Sequence, residues 1–251
     1  MNLVHLLWMA GFVESSVHAF SPDSSERIPV LFDSSNCYHR DIQYHPEQPA
    51  RIEACVKALS TTPSVADNIQ LIDVAEEAPD KSSQDSIATS ANSIIYHQPF
   101  SDQELRHARK MLVKAHSEDF VAGIEKRCHD SRKRRIDEGK VPLGFVGYLD
   151  DDTYVTTESF DVALRATAAW IRAADIAMEG AKGGAQKGSN RLSVSAAMAL
   201  TRPPGHHATS QLSNGFCLFN FAAAAAIHIL EAHPNSKVSI FDWDVHFGQG
   251  K

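Results

Sequence analysis

Sulfur is scarce in this chain of 251 residues: it has four cysteines, Cys37, Cys55, Cys128 and Cys217. They are too scattered for a disulfide framework, and no C-x-x-C zinc pair exists. Long apolar runs are also missing. The stretch Leu3 to Val13 (LVHLLWMAGFV) is too short to span a bilayer, and no other segment qualifies. Positive charge is in deficit, with 24 Lys+Arg against 31 Asp+Glu and a net charge of −7. That balance excludes a nucleic-acid binder working by bulk charge. There is no G-x-S-x-G elbow, no P-loop and no G-x-G-x-x-G. Serine-hydrolase, NTPase and Rossmann oxidoreductase readings therefore lack support.

The length allows one large domain or two small ones, with a core that needs no staples. At 43% hydrophobic and 22% charged residues, wholesale disorder and fibrous repeats are excluded. Histidine is abundant, with thirteen in the chain and two of them adjacent. Imidazole is the commonest metal ligand and the usual proton carrier at neutral pH.

The apolar run at Leu3–Val13 has the length of a signal-peptide hydrophobic region, and Val17-His18-Ala19 supplies small residues before a cleavage site at Phe20. Residues 1–19 are thus a candidate targeting segment. Its positive flank is missing, and the competing reading is a buried N-terminal helix. The Ala19-Phe20 junction also resembles the cleavage motif of complex-plastid presequences. Secretory or plastid routing follows from a signal, and nucleus or cytoplasm from its absence.

The folded part is expected to start at Ile28, where IPVLFD reads as a first strand. Residues 46–59 carry apolar side chains at helical spacing, as does a helix pair over 102–127 that breaks near His116-Ser117. Residues 80–93 and 180–190 read as surface loops. Arg132-Lys133-Arg134-Arg135 reads as a solvated helix end, with a nuclear-localisation patch as the alternative. Residues 159–179 form the best helix, capped by Ser159 or Thr157 and closed by Gly180. A buried strand over 193–202, a helix over 219–233 and a strand over 237–245 make a βαβ unit, which implies a parallel sheet covered by helices.

Sites in such sheets collect beyond the carboxyl ends of the strands. Two successive strands run into Arg202-Pro203-Pro204-Gly205-His206-His207 and into Asp242-Trp243-Asp244-Val245-His246. In extended chain Asp242, Asp244 and His246 point the same way. A carboxylate and an imidazole two apart can grip zinc, and equally iron, cobalt or manganese. Two buried histidines need partners for their ring nitrogens, and Asp242 is the candidate carboxylate behind one of them. Gly215 beside Phe216 suggests close backbone approach and an aromatic wall. Cys217 reads as a small buried residue, and His107, His116 and His228 as structural.

RPPGHHA (202–208), GFCLFN (215–220) and DWDVHFGQG (242–250) closely resemble the central motifs of the zinc-dependent histone deacetylase family, in its class II and bacterial-type branch. HPEQPAR (45–51), AHSEDFV (115–121) and DDDTYVTTESFDVALRA (150–166) match in the same order, so the resemblance covers roughly 28–250. It implies the arginase/deacetylase fold, an α/β architecture of three αβα layers around a mostly parallel sheet, over residues 28–251. It implies Asp244 and His246 as zinc ligands, His207 as general base and acid, His206 as its electrostatic partner, and Asp242 as the carboxylate behind His206. Gly215 and Phe216 match the walls of an acyl-lysine tunnel. Asp151, or Asp152, matches a rim acid that binds substrate backbone. A structural K⁺ beside the zinc is a further implication. The substrate class is acetylated lysine in histones or other proteins, or acetylated small amines such as polyamines, with no direct nucleic-acid binding and the oligomeric state open.

Three departures stand out. Phe247 replaces a usual His, Gln249 replaces the Asn or Asp behind His207, and Phe221 replaces a polar residue. The family's third zinc-ligating Asp and its transition-state Tyr lie further downstream and have no counterpart here. The expectation is therefore the N-terminal two-thirds of the domain, inactive alone, with a non-catalytic scaffold as a further alternative.

Overall fold

The computed structural model describes residues 3–8, 27–76, 95–183 and 196–250, with 3–8 and 180–183 described by their backbone alone. In chain order the strands are β1 (Leu3–Trp8), β2 (Ile28–Phe32), β3 (Ile69–Asp73), β4 (Ile95–His97), β5 (Phe145–Tyr148), β6 (Tyr154–Thr156), β7 (Met198–Leu200) and β8 (Lys237–Asp242). The helices are α1 (Ala50–Thr61), the single turn α2 (Pro63–Ala66), α3 (Asp102–Ala115), α4 (Glu118–Asp137), α5 (Ser159–Gly183) and α6 (Phe221–Ala232).

A four-stranded parallel sheet runs β4-β3-β2-β7. Period-2 alternation splits its apolar residues between two faces. Val30, Phe32 and Leu71 pack with Ile52 and Val56 of α1 on one face. Leu31 and Ile72 pack with Ala169 and Ala173 of α5 on the other. Helix, sheet and helix are the three layers expected. Beyond α5, a second core joins α3, α4, α5 and α6 through Met111, Leu112, Ile124, Trp170, Phe219 and Ile229.

Helix starts follow local chemistry. Ser101 and Glu104 form a capping box on α3, Ser117 caps α4, and Asn220 Oδ1 accepts the Ala223 N–H to start α6. The break expected near His116-Ser117 is the α3–α4 junction. Helix α4 then continues through the basic run, where Arg132 pairs with Glu158 at 3.4 Å and Lys133 with Asp137 at 2.6 Å. That is the solvated helix face.

The structure corrects several expectations. Leu3–Trp8 forms a strand rather than a helix; the candidate cleavage junction at Ala19-Phe20 and the loop over 80–93 lie outside the described residues. Helix α5 passes Gly180 and runs to Gly183. Strands β7 and β8 do not share a sheet: β7 pairs with β2, and β8 pairs in parallel with β1 over six residues, Leu3↔Lys237 to Trp8↔Asp242. A six-residue strand finds in β1 a longer register than three-residue β7 can offer. No helix among the described residues is long and apolar enough to cross a membrane.

Under the site lies a polar core. Arg202, 1% exposed, forks onto Glu47, 0% exposed, through Nε–Oε1 at 2.8 Å and Nη2–Oε2 at 2.7 Å. Its Nη1 donates to the Asn36 carbonyl at 2.6 Å, and Nη2 also donates to Tyr154 Oη at 2.8 Å. Tyr154 donates to Glu47 Oε2 at 2.7 Å and stacks on His39, whose Nδ1 meets Ser159 Oγ at 2.6 Å. Burial raises the cost of the Glu47 charge, but Arg202, His39 and the hydrogen bonds outweigh it and hold the carboxyl below 4.5. Burial also pushes His39 down, from 6.5 to about 3, against the pull of Glu47.

Both shifts act in one direction. Below 6.5 an unfolded histidine takes a proton that folded His39 refuses until about pH 3, so the unfolded state binds more protons. Glu47 does the same below 4.5. Stability should therefore fall as pH drops from 6.5 towards 3, by up to about 1.4 kcal/mol per unit from His39 alone. Thermal melts across that range check it. The His39→Gln variant should show a shallower slope, and a melting temperature that is flat from pH 7 to 5 in the parent would contradict the neutral buried imidazole.

Candidate active site

The site forms where the chain leaves β7 and β8. After Arg202, Pro203 and Pro204 stiffen the exit, and Gly205 packs against the backbone at Phe219, where a Cβ would come within 2.9 Å of the carbonyl oxygen. This delivers His206 and His207 side by side, their ring centroids 3.9 Å apart.

The two imidazoles have unlike backing. His206 Nδ1 lies 3.0 Å from Asp242 Oδ2, and that carboxylate is 3% exposed. His207 Nδ1 lies 2.8 Å from Gln249 Oε1, a neutral amide. An amide oxygen facing Nδ1 favours the tautomer with its proton on Nδ1, which leaves Nε2 as the acceptor. The Gly250 N–H donates to the His206 carbonyl at 2.9 Å, and Asn220 Nδ2 holds the Gly250 carbonyl at 2.7 Å, so the segment carrying Gln249 is pinned to the histidine turn.

Asp242, Asp244 and His246 are linked in sequence by hydrogen bonds two residues apart, not by strand alternation. Strand β8 ends at Asp242. Beyond it each carboxylate captures the backbone two residues on: the Asp244 N–H donates to Asp242 Oδ1 at 3.0 Å, and the His246 N–H to Asp244 Oδ1 at 2.8 Å. Aspartate favours this local bond over continuing a strand. His246 Nδ1 also meets Asp244 Oδ1 at 2.8 Å. Desolvation works against the Asp244 charge, but the His246 hydrogen bonds and the nearby imidazoles hold its carboxyl below the usual range. An ionised oxygen and an imidazole nitrogen facing each other are the donor chemistry of a divalent cation such as zinc, and fit two positions of its shell. Among the described residues no group of three or more His, Cys, Asp or Glu converges to hold a metal ion.

Gly215 adopts φ +53°, and a Cβ there would overlap the His207 ring at Cδ2. Phe216 follows at φ +69°, its N–H donating to Thr153 Oγ1 at 3.0 Å. Both expected wall residues thus stand beside His207 and the β5–β6 hairpin tip. That tip holds the acids: Asp150 accepts N–H groups from Asp152 and Thr153, while Asp151 and Asp152 are exposed. Cys217 is fully buried, and its thiol is pushed up to about 12, chiefly by burial, so it is a packing residue and not a nucleophile. His116 bridges the Thr209 carbonyl and the Asn220 N–H, while His228 bridges His107 and Asp175 between helices; all three histidines have structural partners. Nothing local marked Glu47, Tyr154 or His39 as the platform beneath the site; the only cue was a charged residue in each of two motifs, RPPGHHA and HPEQPAR.

A family model, the histone deacetylase domain, matches residues 45–251. The chain belongs to the histone deacetylase domain family. It is 27% identical over 223 residues to the uncharacterized protein slr0245 of Synechocystis sp., covering 89% of this chain and 55% of that protein. It is 28% identical over 216 residues to histone deacetylase HDA1 of Saccharomyces cerevisiae, covering 85% and 25%. Over 135 residues it is 33% identical to polyamine deacetylase HDAC10 of Rattus norvegicus, covering 54% and 20%. Among solved structures, the HDA15 HD domain superposes with a TM-score of 0.56 at 26% identity, covering 90% of this chain and 49% of that one. The chain thus spans about half of slr0245 and of the HDA15 domain, and less of the other relatives.

Gly215→Ala should lower the melting temperature and displace His207, since φ +53° costs an L-residue about 1–2 kcal/mol before the overlap is counted. Gly123→Ala, on exposed α4 with nothing within 4 Å of the new Cβ, should instead be neutral or stabilising. Thermal melts and the His207 imidazole resonances in NMR spectra distinguish the two.

Proposed function

We propose that this site hydrolyses the amide of an acetylated amine, with ε-acetyl-lysine in a protein as the substrate, using a zinc ion. The observation that carries the reading is one constellation: His206 on Asp242, His207 on Gln249, and Asp244 facing His246 within the same turn. Membership of the histone deacetylase family supports the reaction class.

Asp244 and His246 would hold the zinc, which when bound polarises an acyl carbonyl and lowers the pKa of water. His207 Nε2 takes a proton from the attacking water and returns it to the departing amine nitrogen. The carbon–nitrogen bond breaks as the carbon–oxygen bond forms, releasing acetate and the free amine. His206, backed by the Asp242 carboxylate, stabilises charge beside it. Gln249 fixes the His207 tautomer without adding a negative charge. Gly215 and Phe216 wall the acyl chain, and Asp151 or Asp152 takes the substrate backbone at the rim.

A second reading replaces the peptide with a small acetylated polyamine. The 33% identity to the rat polyamine deacetylase and the exposed acids at the hairpin tip favour it. Turnover of acetylputrescine against an acetylated peptide separates the two.

Two protein donors are fewer than the three of an ordinary catalytic zinc. Residues 1–251 alone should accordingly bind zinc weakly, lose that binding in Asp244→Ala and in His246→Ala, and show no zinc-dependent turnover of an acetyl-lysine peptide. Calorimetric zinc titration and a fluorogenic assay test this. Binding that survives both substitutions would place the metal elsewhere and overturn the assignment.

A further inference from the structure

We propose that His45 is a positioning residue that gives the site its preference for acyl-lysine embedded in a peptide, by clamping the acid-bearing hairpin tip to the Phe216 wall. The proposal rests on the reading above, in which Asp151 or Asp152 receives the substrate backbone.

His45 spans two segments with its two nitrogens. Nδ1 lies 3.1 Å from both the N–H and the carbonyl oxygen of Glu47, and Nε2 lies 3.1 Å from the Asp152 carbonyl oxygen, which can only accept and so takes an Nε2 proton. The ring meets Phe216 edge-on at 4.7 Å and Tyr154 at 4.9 Å. From the other side, the Phe216 N–H donates to Thr153 Oγ1, which donates to Asp150 Oδ2, each at 3.0 Å. Two arms therefore close on residues 150–153, and both pass through His45 or the ring it packs against. Phe216 keeps its left-handed φ of +69° inside this bracket. Positive φ in a bulky residue persists only where surrounding contacts fix it.

The functional consequence follows from geometry. A carboxylate that recognises peptide N–H groups must be held to within about half an ångström, which an exposed hairpin tip does not achieve unaided. A small acylated amine has no flanking peptide groups and does not need that precision. His45 thus acts on one class of substrate and not the other.

The test uses the 251-residue chain in saturating zinc and two ligands, an ε-acetyl-lysine peptide and N-acetylputrescine. His45→Phe keeps the ring contacts but loses both hydrogen bonds. It should weaken peptide binding by about tenfold, the loss of one well-made hydrogen bond, and leave N-acetylputrescine within about twofold. His45→Gln, which can still donate to the Asp152 carbonyl, should restore most of the loss. Amide hydrogen exchange at 150–153 and at Phe216 should speed up in the Phe variant and recover in the Gln variant. Should the Phe variant not fold, His45→Asn, which keeps only the Glu47 side, takes its place. Equal weakening for both ligands, no rescue by Gln, or unchanged exchange at 150–153 would overturn the proposal. A parent chain that binds neither ligand would overturn the acyl-amine reading and the specificity claim with it, while the exchange measurement would still report whether His45 holds the loop.

Discussion

The buried fork of Arg202 on Glu47 is the constraint on which the rest of the site depends. Taking both charges out of water is costly, and removing either partner alone would leave an unpaired charge worth about 3–5 kcal/mol. The planar guanidinium offsets that cost because its donors are spread over Glu47, Asn36 and Tyr154 at once. A lysine has a point charge and no fork, so it could not hold the same three segments. Arg202 precedes the His206-His207 turn on one segment, and Glu47 follows His45 on another. The histidine pair and the rim therefore share one anchor below the surface.

Above that anchor the reactive groups are placed by short-range bonds more than by sheet geometry. Asp242 holds the Asp244 backbone and Asp244 holds the His246 backbone, a ladder of carboxylates each gripping the chain two residues on. A strand would have alternated those residues by its pleat. The ladder sets them by hydrogen bonds that a single Asp→Ala change can remove. The two imidazoles in ring contact are also unequal, one backed by a carboxylate and the other by an amide. Under the proposed reaction that inequality divides their work, with charge stabilisation at His206 and proton transfer at His207.

Much of this was legible in the sequence. The three layers were implied by the family resemblance, and the small residues of α5 at helical spacing marked its packed face. The break near His116-Ser117 marked the junction of α3 and α4. The His206–Asp242 contact followed from the need to satisfy a buried ring. The pairing of β8 with β1 did not follow, because register between distant strands depends on competing lengths and not on either strand alone. The Asp242–His246 ladder was misread as a strand because alternation and successive side-chain turns place residues i and i+2 on the same side. The Arg202 network was invisible because its members lie up to 166 residues apart and share no local pattern.

Helix α5 belongs to both cores. Ala169 and Ala173 face the parallel sheet, while Phe160, Trp170 and Ala174 face the helix bundle, and Arg165 ties it to Asp33 at 2.8 Å. One rod thus forms a wall of two rooms. Neither can open locally without stripping a face from the other, so the domain has no cheap partial unfolding that spares α5. The amides around Ala169–Ala174, packed from both sides, should therefore be among the slowest in the molecule to exchange with solvent.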